Sequence, residues 1–210
     1  SGELLGSDSL SGSLSREPGK NVGTYAITVG SLTAGSNYVI SVSGGSLSIT
    51  PRAVTISSSD VVKVYDGTTA AIGNAVVAGG SLAGGDSLRG GSFSFDDANA
   101  GSGKTVSVAG VQINDGNGGA NYNVSVVPNT TSTINKAVVT LTPTTDTRVY
   151  DGTTQSSAAV AIDGLVGGDS ITGLKQEFES ADGGTRINTV PVVHCGDNAA
   201  SANCKQVSET

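Results

Sequence analysis

The feature that most narrows the fold of this chain is an internal repeat. VYDGTT runs from Val64 to Thr69 and again from Val149 to Thr154, so that Tyr65 and Tyr150 stand 85 residues apart. GGDSL follows at Gly84 to Leu88 and GGDSI at Gly167 to Ile171, while a third copy, GSDSL, occupies Gly6 to Leu10. Each unit then reaches an Asn step: Asn37-Tyr38, Asn121-Tyr122, and Asn203 followed by Cys204. Upstream of the two VYDGTT segments lie Arg52-Ala53-Val54 and Lys136-Ala137-Val138, which align as basic residue, Ala, Val. Matched landmarks in one order mean that the chain rebuilds one supersecondary unit several times. The landmarks divide it into 1–51, a partial repeat lacking its first strands; 52–135, a complete repeat; and 136–210, a repeat with a divergent, Cys-containing end. The joints at Pro51 and Asn135 contain no spacer, which predicts tandem domains in an elongated, semi-rigid rod.

The periodicity within each unit is two rather than 3.6. Tyr38, Ile40 and Val42 alternate with polar residues, as do Tyr122, Val124 and Val126, and the pairs Phe93/Phe95 and Val106/Val108 mark further strands. Between them stand turn clusters such as Asp66-Gly67, Gly84-Gly85-Asp86 and Asn114 to Gly119, rich in residues that tolerate positive φ or cap a turn through a side-chain oxygen. No amphipathic stretch long enough for a helix is evident. The fold class predicted is all-β, built of small β-sandwich-like repeat domains, with β-grasp-like repeats as the alternative.

Composition narrows the function. Aromatics are 4% of the chain and Trp is absent, so several small cores fit better than one large core. The net charge of −7 with only 11 Lys and Arg argues against a nucleic-acid partner, which needs clustered cations. No apolar run approaches the length of a membrane-spanning helix, so no membrane insertion of this segment is expected. The two cysteines, Cys195 and Cys204, fall within ten residues of each other. That spacing suits a local disulfide in an oxidising compartment, with a free pair or half of a metal site as the alternatives.

Each motif admits a structural and a functional reading. In VYDGTT, Asp66 or Asp151 would cap the turn, Gly67 or Gly152 would take a strained φ, and the ring of Tyr65 or Tyr150 would cover a core edge. A ligand platform on the two tyrosines is the functional alternative. Asp96 and Asp97 in one loop and Asp115 in another are weak calcium candidates, because each loop offers only part of the oxygen shell that calcium needs. Turn chemistry explains them without a cofactor. Gly101-Ser102-Gly103-Lys104-Thr105 superficially resembles a phosphate loop but lacks the glycine spacing and a following helix, and it reads as a hairpin turn. Neighbouring His194 and Cys195 would point to opposite faces of a strand. No catalytic residue is assigned, and the chain is expected not to be an enzyme.

VYDGTT, GGDSL, DANAGSGKTVSVAG and NDGNGGANYNVSV together resemble the YDG-type repeats of very large bacterial surface adhesins. The first unit, with GSDSLSGSLSREPGKNVGTYAI and AGSNYVISVSGGSLSITP, is similar to the related MBG-type repeat. The resemblance covers about Gly6 to Ala181. It implies a secreted protein on the surface of a Gram-negative bacterium, exported by two-partner secretion or a similar route. It also implies a structural stalk or adhesive module in attachment or biofilm matrix, partnered by neighbouring repeats of the same or another copy and by exopolysaccharide or host glycan. A self-assembling filament subunit and a glycan-binding module are the alternatives. The third unit departs from the pattern, with Cys204 standing where the second has Tyr122. Such adhesins sometimes end in a cysteine-paired transporter hook, and the Cys195–Cys204 spacing is similar to one.

Overall fold

The computed structural model describes residues 2–190, 194–196 and 204–208. Among these residues the secondary structure is strand, bridge and turn, with no helix. The chain forms two compact units that do not follow the sequence repeats. The first comprises 1–56, 77–90 and 111–126, and the second 57–76, 91–110 and 127–210. Residues 52–135 therefore contribute to both.

In the first unit, Ser15–Arg16, Gly23–Thr28 and Ser46–Ile49 make an antiparallel three-stranded sheet, with Tyr25 opposite Leu47. A second sheet runs Tyr122–Val126, Arg52–Ser58, Ala75–Gly80. Its first pair is parallel, with Tyr122 opposite Arg52 and Val124 opposite Val54. Alternation along Arg52–Ser58 turns Val54 and Ile56 inward, and Ile113 and Tyr122 are buried with them. The strand expected over Tyr38 to Val42 does not form. No strand among the described residues pairs with it, and an unpaired segment gains no ladder bonds. Val39 is accordingly exposed.

Most of a five-stranded sheet lies in the second unit, in the order Val62–Val64, Asn129–Asn135, Gly101–Asn114, Ser87–Phe95, Ala70–Ala71. Asn129–Asn135 runs parallel to Val62–Val64 and antiparallel to Gly101–Asn114, with irregular register around Ser132. Val61, Phe95, Val106 and Ile134 form its core, flanked by Tyr65, Ala71, Phe93 and Ala100. Gly101 to Thr105 is therefore strand rather than the expected hairpin turn. The reversal is made just upstream, where Asp97 Oδ1 accepts the Asn99 N–H at 2.8 Å and Asp96 N–H donates to Thr105 O at 3.1 Å.

The third repeat builds Ala137–Thr142 between Ala161–Asp163 and Cys204–Ser208, the latter parallel with Ala137 opposite Cys204. Val139 and Leu141 make a second core with Leu165, Ile171 and Val190 among the residues packed on it. Parallel closure of a repeat's first strand by a late strand thus occurs twice. Period-two patterning gives no indication of it, because alternation is the same in either direction.

This register corrects the alignment of the repeat starts. Val54 and Ile56 match Val139 and Leu141 in burial, so Arg52 corresponds to Ala137 and not to Lys136. The glycines agree independently. A Cβ on Gly80 would lie 2.6 Å from Ala53 O, and one on Gly164 would lie 2.4 Å from Val138 O. A one-residue slip would turn every inward side chain outward, so facing decides where similarity of letters misleads. The corrected offset equals the 85-residue spacing of Tyr65 and Tyr150. Cys204 then falls opposite Ala137 as Tyr122 falls opposite Arg52.

Candidate functional site: tyrosine clamps and Tyr-Asp-Gly turns

The GxDS segments form one kind of turn. Asp8, Asp86 and Asp169 each donate their backbone N–H to the carbonyl three residues back, on Leu5, Ala83 and Val166, at 3.1 Å in every case. This closure aims the Asp carboxylate and the N–H of the earlier residue at one point. In the second repeat that point holds the Tyr122 hydroxyl, which donates to Asp86 Oδ2 at 2.5 Å and accepts the Ala83 N–H at 2.7 Å. In the first repeat Tyr38 donates to Asp8 Oδ2 and accepts from Leu5 N–H, both at 2.8 Å. The Ala83 N–H draws the Tyr122 pKa down, the Asp86 carboxylate and burial push it up, and the balance lies above the ordinary 10.0.

The residue preceding the clamp tyrosine joins repeats within the first unit. Asn121 Oδ1 accepts from Val22 N–H at 2.8 Å, Asn121 Nδ2 donates to Asn21 Oδ1 at 3.2 Å, and Asn121 O accepts from Arg52 N–H at 2.9 Å. Its own loop is held by Asp115. Asp115 Oδ1 accepts from the N–H groups of Asn117 and Gly119 at 2.7 and 2.8 Å, and Oδ2 from Asn121 N–H at 3.1 Å. Burial raises the Asp115 pKa, these backbone donors lower it, and the result is below the ordinary carboxylate value. Both oxygens of this calcium candidate thus serve the turn. Of the other two candidates, Asp97 pairs with Lys104 and caps Asn99, and Asp96 Oδ1 accepts the Asp97 N–H at 3.1 Å. Among the described residues, no three His, Cys, Asp or Glu side chains are grouped as a metal site.

The Tyr-Asp-Gly turns are built alike. Asp66 Oδ1 accepts both the N–H and the hydroxyl of Thr68 at 2.9 Å, and Gly67 takes φ +75°. Asp151 Oδ1 makes the same pair of bonds with Thr153 at 2.9 and 3.0 Å, and Gly152 takes φ +77°. Each turn also has a cation that sequence reasoning missed. Lys63 Nζ donates to Asp66 Oδ1 and Thr68 O, both at 2.7 Å, and stands 5.5 Å from the Phe95 ring centre. Arg148 donates to Asp151 Oδ2 at 3.1 Å and to Thr153 O, and stands 5.0 Å from the Phe178 ring centre. The signal was present as KVYDG and RVYDG, a cation two residues before each tyrosine. The Lys63 ammonium, followed by the Thr68 N–H, lowers the Asp66 pKa to about 2.

The two turns differ in what covers the tyrosine. Tyr65 packs on the core of the second unit and donates to Asp169 Oδ1 at 3.3 Å. Tyr150 is 71% exposed, at the edge of a groove also lined by Arg148, Phe178, Asp182, Arg186 and Asn188. Cys195 and Cys204 sit on described strands, opposite Ile171 and Ala137. Their side chains, and with them the expected disulfide, lie outside the described residues.

A chain of all-β units in which the tyrosine clamp recurs in the first and second and the Tyr-Asp-Gly turn in the second and third is a tandem repeat protein. The YDG domain matches residues 50–133 and 135–203, and the MBG domain (YGX type) matches residues 1–48. The chain belongs to the YDG domain family, with an MBG domain ahead of its two YDG repeats. No curated protein and no solved structure gives a match to it.

Proposed function

We propose that the chain is a structural stalk or adhesive module of an extracellular bacterial adhesin, displayed on a Gram-negative cell and working in attachment or biofilm matrix, with no catalytic role and no cofactor. The observation that carries this reading is how the repeated polar side chains are used. Asp8 and Asp86 hold clamp tyrosines, Asp66 and Asp151 hold their own turns, and Asp115 holds backbone N–H groups. Their repetition therefore serves to build the same β module again, which is what a spacer array requires. Antibody raised against the chain should label intact producing cells. Label that appeared only after permeabilisation would refute surface display.

A glycan-binding reading is favoured by one feature, the exposed Tyr150 ring beside Arg148, Asp182 and Arg186 in the groove. Sugar rings stack on such aromatics while charged groups bind hydroxyls. Retention of the chain on immobilised exopolysaccharide, lost in Tyr150→Ala, would establish it. Equal retention of both proteins would reject the groove as the site.

A further inference from the structure

The contact made by Tyr65 has an unfilled twin at Tyr150. At the first Tyr-Asp-Gly turn, the GGDS turn of the following repeat is seated: the Tyr65 hydroxyl reaches Asp169 Oδ1 at 3.3 Å, and Val166 Cγ1 lies 3.3 Å from the Cβ position of Gly67. The second turn has the same sequence, the same Asp–Thr bonds and nearly the same glycine φ, yet Tyr150 is 71% exposed where Tyr65 is half-buried. The Tyr150 hydroxyl instead lies 3.9 Å from the Cβ position of Gly152, the counterpart of the Gly67 that meets Val166 at the first turn.

We propose that the Val149–Gly152 turn is a docking surface for the GGDS turn of a second copy of this chain, Ala83 to Leu88. The seated pair supplies the template. Asp169 receives its tyrosine through Oδ1, whereas Asp86 receives Tyr122 through Oδ2, so the same carboxylate can hold its own clamp tyrosine and a visiting one. Ala83 stands where the template has Val166, since each accepts the Asp N–H that closes its turn. Ala83 is exposed and smaller than valine, so it fits against Gly152. Docking moves the Tyr150 ring off Gly152 and onto the incoming carboxylate. The contact is small, and its strength comes from repetition along an array, where neighbours are held at high effective concentration. This inference goes beyond the adhesin reading and does not depend on it.

Amide NMR of the full chain, diluted stepwise from about 1 mM, a concentration of the order that short linkers impose on neighbours, tests the proposal. Concentration-dependent shifts should appear at Ala83 to Leu88 and at Val149 to Thr153 together. Both sets should vanish in Tyr150→Phe, which removes only the donor, and in Ala83→Arg, which blocks the acceptor turn from a solvent-facing position. No concentration dependence, shifts in other segments, or shifts that survive both substitutions would each overturn it.

Discussion

Tyr122 donates its hydroxyl proton to Asp86 at 2.5 Å, and the same oxygen accepts the Ala83 N–H at 2.7 Å. Tyr38 repeats both bonds with Asp8 and Leu5. One phenol therefore satisfies an acid and a backbone donor that the GxDS turn has already aimed together. Tyr122→Phe keeps the ring and removes both bonds, which should cost about 1–3 kcal/mol, because one of them is made to a carboxylate. Urea unfolding of the variant checks this, and an unchanged midpoint would mean that the clamp contributes nothing.

Gly80 is a second point of close approach. Its φ is +75°, and an added Cβ would stand 2.6 Å from Ala53 O. Gly80→Ala must bear a left-handed conformation worth roughly 1–2 kcal/mol and a clash with backbone besides. Gly84 has nothing within 4 Å of its Cβ position. Gly84→Ala should therefore stay within about 0.5 kcal/mol of the parent in the same denaturation experiment.

Acid should weaken the fold. Asp66 is lowered to about 2, first by Lys63 and then by the Thr68 N–H, and Asp60, Asp97, Asp115, Asp146 and Asp151 are lowered as well. A depressed folded-state pKa gives stability that is fully present above the ordinary value of 3.8 and is lost as pH falls through the folded value. Thermal midpoints should hold steady down to about pH 5 and then decline towards pH 2. Salt should weaken the exposed Asp66 contribution. A midpoint that rises on acidification would contradict the sign.

The third repeat carries polar residues where the second has a dry core. Asp96 N–H bonds Thr105 O as Glu179 N–H bonds Ile187 O, which makes Asn188 the counterpart of Val106. Asn188 Nδ2 donates to Thr144 O at 2.6 Å, but its buried Oδ1 has no partner among the described residues. Gln176 Nε2 also donates to Thr144 O, at 2.8 Å, so that carbonyl keeps a donor if Asn188 is replaced. Asn188→Val should be neutral or stabilising by up to about 1–2 kcal/mol, because it removes a stranded acceptor. A clear loss of stability by calorimetry would show that the Thr144 contact outweighs it.

The turns were legible in the sequence because Asp-Gly and Gly-Gly-Asp act locally: the carboxylate of Asp66 reaches its own Thr68, and that of Asp151 its own Thr153. The half-buried strands at Phe93/Phe95 and Val106 were legible through alternation. What joins distant segments was not. That Tyr122 ends at Asp86 and Tyr65 at Asp169 depends on which strands lie side by side, and period two carries no partner or direction. The cations of Lys63 and Arg148 carry no sequence signal for a ring partner, and only the fold sets them over Phe95 and Phe178. The repeat starts misaligned by one residue because Arg52-Ala53-Val54 and Lys136-Ala137-Val138 match in letters while their strands match in facing.

The repeated acidic and aromatic residues serve the chain's own turns. Native-state hydrogen exchange at Leu5, Ala83, Thr68, Thr153, Asn117 and Gly119 tests this most directly, because these N–H groups bond to side-chain oxygens rather than to a strand ladder. Protection at all six should lie well above that of an unstructured peptide, with Ala83 and Gly119 exchanging as slowly as the strand amides of Arg52–Ser58. Exchange at unstructured-peptide rates would contradict it, leaving those carboxylates and phenols free to serve a ligand instead.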